Sequence, residues 1–136
     1  MDLKKIALIA TFVVMTVAAA AQALPEQAVR FIETAFPKRS VLMVNSKVGY
    51  DVVLDDFTKL EFTATGRWIE MDAEDEGNIP DTAVPEEMLK RIRKVFPDNK
   101  IKKIEWSRIT GGYDVELSGD VELEFDSAYQ LTDINK

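Results

Sequence analysis

The side chains able to do chemistry in this chain are mostly carboxylates, and the densest set stands near the C-terminus. Asp114 and Glu116, then Glu122, Glu124 and Asp126, alternate with Tyr113, Val115, Leu117, Val121, Leu123 and Phe125. Alternation with a period of two marks half-buried strands, so these acids would crowd one outer sheet face. Oxygen ligands of this kind suit a hard cation such as calcium. Two carboxylates facing a cleft at about 5–9 Å would suit glycoside hydrolysis. Neither signature is complete. The Gly-bearing tight turn that gathers calcium ligands is missing, and nothing separates one carboxylate pair from its neighbours. A solvated or base-paired face is the plainer reading, because polar-out alternation is ordinary in antiparallel sheets.

Composition narrows the chemistry further. The sequence contains no histidine and no cysteine, which removes the usual general base, the Ser-His and Cys-His nucleophile pairs, and nearly all zinc chemistry. No catalytic residue, metal ligand or cofactor is therefore assigned, and a non-enzymatic protein is expected. With 24 acidic against 17 basic side chains and a net charge of −7, the surface would repel nucleic acid, whose affinity rests on Lys/Arg neutralising phosphates.

The N-terminus reads as an export signal. Lys4 and Lys5 precede an apolar run over residues 6–21, and Ala19-Ala20-Ala21 and Ala21-Gln22-Ala23 offer the small residues a signal peptidase needs. Residues 1–23 are thus expected to be removed, leaving a periplasmic protein without stable membrane insertion. A lipoprotein signal is excluded because it requires a cysteine.

The elements that would position the carboxylates come in two sets. Leu24-Pro25-Glu26 answers to Val84-Pro85-Glu86, Ile32 to Ile92 and Phe36-Pro37 to Phe96-Pro97, at a spacing of sixty. At a spacing of sixty-three, Gly49-Tyr50-Asp51-Val52 answers to Gly112-Tyr113-Asp114-Val115, Leu54 to Leu117, and Leu60-Glu61-Phe62 to Leu123-Glu124-Phe125. Thirteen identities in thirty-nine aligned positions argue for an internal duplication.

Each copy opens with a proline suited to a first helical turn and carries apolar residues at helical spacing. These are Ala28, Phe31, Ile32, Ala35 and Phe36 in the first and Met88, Leu89, Ile92, Val95 and Phe96 in the second. Pro37 and Pro97 then stop the helices. Strands are expected near residues 41–47, 50–54, 60–62 and 67–71, and again near 101–108, 113–117, 121–125 and 129–132. The predicted fold is α+β, a tandem repeat of a helix followed by a four-stranded antiparallel sheet, with the helices on one face. Residues 24–72 and 82–136 form the repeats, and acidic residues 73–81 read as a solvated linker. One such unit is too small to bury a sufficient core alone, so the two should pack together.

A helix between Leu-Pro and Phe-Pro, then Gly-Tyr-Asp-Val, Leu-Glu-Phe and Gly66-Arg67-Trp68, resembles the PepSY-like, β-lactamase-inhibitor-like proteins of bacterial envelopes. The resemblance runs from Leu24 onward and marks a fold rather than a site. It implies an exported α+β protein without catalytic residues that binds or restrains a protein partner. In the second copy Tyr129 replaces Gly66 and Leu131 replaces Trp68, which sets the two closing turns apart.

Candidate binding residues come from the differences between copies. Where the second has Lys103, Glu116 and Thr132, the first has Met43, Val53 and Ile69, with Met71 nearby. Apolar side chains at outward positions point to a partner surface. Cover by the linker or the other copy is the competing reading. Trp68 and Trp106 also stand where the copies differ, and tryptophan is enriched in interfaces. The expected partner is a protein or peptide of the cell envelope. The alternative is an envelope structural or sensory accessory that binds cations or cell-wall material.

Overall fold

The computed structural model describes residues 22–74 and 76–136, so the expected export signal lies almost wholly outside the described residues. Among the described residues, two helices and one eight-stranded antiparallel sheet make up the fold. The chain runs α1 (Glu26–Ala35), β1 (Val41–Ser46), β2 (Tyr50–Leu54), β3 (Lys59–Phe62) and β4 (Trp68–Asp72). A 3-10 turn (Asp81–Ala83) leads to α2 (Glu86–Val95), β5 (Ile101–Trp106), β6 (Tyr113–Leu117), β7 (Val121–Phe125) and β8 (Leu131–Asn135). Every strand pairs with its neighbours in sequence, and β4 pairs with β5, so the sheet is continuous from β1 to β8.

The helices form where the sequence places apolar residues on one stripe. Ala28, Val29, Ile32 and Ala35 are buried on α1, and Met88 and Ile92 on α2. In α2, Glu86 and Glu87 stand in the first turn and Arg93 and Lys94 in the last, matching the helix dipole at both ends. Both buried stripes join the inward residues of β1 to β7 in one core, which includes Leu60, Phe62, Met71, Ile104, Leu123 and Phe125. Among the described residues no helix packs on the opposite sheet face, which is mostly polar, with Met43 and Val53 at its β1 edge.

Backbone details recur at the spacings of the identities. Bulges fall at Leu42 in β1 and Lys102 in β5, and between Glu61/Phe62 and Glu124/Phe125. A Cβ on Gly49 would collide with the Phe62 carbonyl oxygen, and one on Gly112 with that of Phe125. Close backbone approach therefore explains the glycine that opens both Gly-Tyr-Asp-Val segments.

Three expectations need correction. The last strand begins at Leu131 and runs to Asn135, later than residues 129–132, because Asp126 to Gln130 form a turn. That turn matches its counterpart despite the Gly-to-Tyr exchange. Gly66 N–H donates to the Thr63 carbonyl and Tyr129 N–H to that of Asp126, with φ of 93° and 61° at the two residues. Residues 73–81 are also not simply solvated. Ala73 and Ile79 are buried, and their N–H groups donate to the carbonyls of Lys102 and Ile101. This segment runs along β5 and helps join the halves, as does Thr82, whose hydroxyl donates to the Ala35 carbonyl at the end of α1 over 2.7 Å.

Candidate functional site

The open sheet face is the candidate site, and strand register builds it. Asp51 pairs with Glu61, Glu61 with Glu70, and Glu70 with Glu105 across the junction of the halves. Glu105 then pairs with Asp114, Asp114 with Glu124, and Glu124 with Asp133. Seven adjacent strands thus each place a carboxylate in one row, which spans roughly 29 Å at the usual strand spacing. Asn45 of β1, paired with Asp51, ends the row with a neutral side chain.

Like charges directly opposite one another on a sheet destabilise it, and a lysine relieves the row in its middle. Lys103 Nζ lies 3.2 Å from Glu70 and 3.7 Å from Glu105. Burial pulls the Lys103 ammonium down, but its hydrogen bond to Glu70 and the charges of Glu70, Glu105 and Asp72 outweigh this and raise its pKa. Glu61 is pushed up to about 7 by its hydrogen bond with Glu70, by burial, and by the charges of Glu70, Asp51 and Glu105. Up to about pH 7 the Glu61 carboxyl therefore tends to keep its proton.

Farther along, Asp114 faces Glu124 and Glu116 faces Glu122. With Lys103, Glu105 and Asn135 they line a shallow depression of about 400 Å³. Among the described residues, no three acidic side chains converge closely enough to hold a metal ion. The row presents charge along a line and does not gather it around a point.

The residues proposed from sequence scatter. Met43 and Val53 are cross-strand partners at the β1 edge of this face, Met43 being 41% exposed. Ile69 occupies the β4 bulge and borders a hollow with Glu61, Glu70 and Glu105. Met71 does not belong to the surface. It is fully buried and pairs with Leu60 and Ile104 on the helix-covered face. The bulge at Ile69 is the cause, since one extra residue puts both Trp68 and Met71 on the inner side despite their odd spacing.

Trp68 is likewise a packing residue. It stacks on Phe31 at 6.2 Å and contacts Tyr113 at 5.6 Å, and Tyr113 in turn contacts Tyr129 at 5.3 Å. This aromatic file ties α1 to both halves of the sheet. Trp106 lies under the Arg67 guanidinium, which is 5.4 Å from the ring centre, and it lines the same hollow as Ile69, away from Met43. The carboxylate row spans both halves, and of its members the alternation had singled out Asp114 and Glu124. Its first-half members were legible only as single outward acids.

The model of the family described as "Putative beta-lactamase-inhibitor-like, PepSY-like" matches residues 48–133. The chain belongs to this PepSY-like family. Solved relatives from Bacteroides share the fold. A "putative periplasmic protein" of the DUF2874 family from Bacteroides vulgatus is 32% identical with a TM-score of 0.74, covering 85% of this chain and 93% of its own. A "putative calcium-regulated periplasmic protein" from Bacteroides thetaiotaomicron is 30% identical with a TM-score of 0.73, at the same coverage of both chains. A further "putative periplasmic protein of unknown function" from Bacteroides vulgatus is 26% identical with a TM-score of 0.70, covering 85% and 94%. No curated protein matches the chain. Among the described residues of this PepSY-like chain, no helix is long and apolar enough to cross a membrane.

Proposed function

We propose that this is an exported, non-catalytic binding module of the periplasm whose open acidic sheet face takes a Lys/Arg-rich protein or peptide. The uninterrupted row of carboxylates from Asp51 to Asp133 carries the reading. A fold that keeps like charges adjacent at a cost to its own stability departs from the local rules, and such departures cluster at functional sites. The face is broad and shallow, which suits a macromolecular surface better than an enclosed small molecule. Missing histidine and cysteine argue against catalysis. Periplasmic placement is supported by the apolar leader and by the descriptions of the relatives. Residues 24–72 and 82–136 are proposed as two copies of one ancestral unit joined by 73–81. The recurring bulges and closing turns support that view.

Calorimetric titration of the chain from Leu24 onward with a Lys/Arg-rich peptide tests the proposal. Affinity should fall about tenfold between low and physiological salt as the charges are screened. It should be lost in the variant Asp114→Asn, Glu116→Gln, Glu122→Gln, Glu124→Gln. No heat with the basic peptide at low salt would refute it. The second reading, a cation-responsive accessory, is favoured by the relative described as calcium-regulated. It predicts saturable heat with calcium alone, abolished by the same four substitutions.

A further inference from the structure

We infer that two copies of this chain pair antiparallel through β1, joining their sheets into one. The outer strands of the sheet are β1 and β8, and among the described residues nothing pairs with the free edge of either. An edge strand offers a row of unpaired N–H and C=O groups, which proteins guard with charge, proline or distortion. At one end, β8 is guarded, because Asp133 stands in it and belongs to the acidic row. At the other, β1 reads Val-Leu-Met-Val-Asn-Ser, without charge or proline, and its one bulge at Leu42 leaves Met43 to Ser46 regular.

The contrast with β5 makes this pattern informative. That strand stands sixty residues on, in the same place within the second half, and reads Ile-Lys-Lys-Ile-Glu-Trp. Its backbone is paired on both sides, with β4 and β6. The chain therefore puts charges on β5, whose edges are already covered, and none on β1, whose edge is open. This reverses the usual protection and is the arrangement expected of an edge that is covered in use.

Charge selects a second copy as the occupant. A Lys/Arg-rich strand would find no acid on β1 to meet, because the row stops at Asp51 and Asn45 is neutral. A second β1 brings an equally neutral strand, with Met43 and Asn45 meeting their counterparts on the open face. The two Asp51 residues would then lie three strand spacings apart, about 14 Å, beyond the screening length of about 8 Å. Such a contact uses the same patch twice and closes at two copies. It covers only one short strand per chain, so a weak dimer populated near ~100 μM is expected.

Because the chain has no cysteine, single substitutions give a clean readout of this contact. Sedimentation equilibrium should show the chain from Leu24 onward passing from monomer to dimer as concentration rises. Oxidative cross-linking of Met43→Cys, Val44→Cys or Asn45→Cys should outpace that of Asp133→Cys on β8 by about tenfold, since pairing raises the local thiol concentration. The triple variant Leu42→Lys, Met43→Lys, Asn45→Glu gives β1 the charges that β5 already carries in this sheet, and should be monomeric while still unfolding in one cooperative transition. Wild type that stays monomeric to about 1 mM overturns the inference, as does equal cross-linking from β8. So does capture of an extended foreign peptide along β1 by a monomeric chain. If the triple variant fails to fold, the cross-linking comparison still decides.

Discussion

Strands β1 and β5 hold the same place in their halves and differ in nearly every surface property. Leu42, Met43 and Asn45 stand where Lys102, Lys103 and Glu105 stand sixty residues later. At the centre of the sheet, the Lys103 ammonium lies between Glu70 and Glu105 and relieves the acids meeting at the junction. At the edge there is no junction to relieve, and Met43 instead pairs with Val53. One backbone thus serves two ends. The second half spends its polar positions on the acidic face, whereas the first half keeps a neutral margin.

The largest effect should come from the shared core. Phe62 and Phe125 are aligned, buried and set on one sheet, so truncating either to alanine should cost about 3–5 kcal/mol. Phe62→Ala should cost more, because Phe31 packs edge-on against Phe62 at 5.9 Å. Chemical denaturation should give one cooperative transition for both variants. Separate transitions would show that the halves fold independently and would break the comparison.

Next come Gly49→Ala and Gly112→Ala. Each added Cβ meets a carbonyl oxygen that cannot move without its strand, so both should lose about 2 kcal/mol. Thermal unfolding would show whether the two losses agree, as equivalent turns require.

A smaller effect tests the difference between β1 and β5. Lys103→Met installs the first-half residue and leaves Glu70 and Glu105 without their cation. It should destabilise by about 1 kcal/mol, with Met43→Lys near neutral. Equal effects in denaturant titrations would remove the distinction.

The smallest effect is on pH dependence. Glu61 rises from an ordinary 4.5 to about 7 in the folded chain, so between those values the native state holds a proton that the unfolded chain has released. Its contribution to stability is full below about 4.5 and is lost as pH climbs through about 7, by about 1 kcal/mol once solvent screening of this half-exposed group is allowed for. Glu61→Gln keeps a donor toward Glu70 without the titration and should flatten the stability profile over that window. An unchanged slope would show that Glu61 does not hold a proton over that window.

Sequence by itself determined the local structure of this protein. Helical spacing gave Glu26–Ala35 and Glu86–Val95, prolines and glycines gave their ends and turns, and alternation separated Val115 and Leu123 from Asp114 and Glu124. These features depend on residues within a few positions of each other. Tertiary structure decided what lies beside what. Glu70 and Glu105 became neighbours only when β4 paired with β5, and Met71 moved inward only because Ile69 entered a bulge. Side-chain phase is a property of one strand, but register and bulges are set by long-range closure, where packing of the whole core chooses among alignments that look alike from within a single strand.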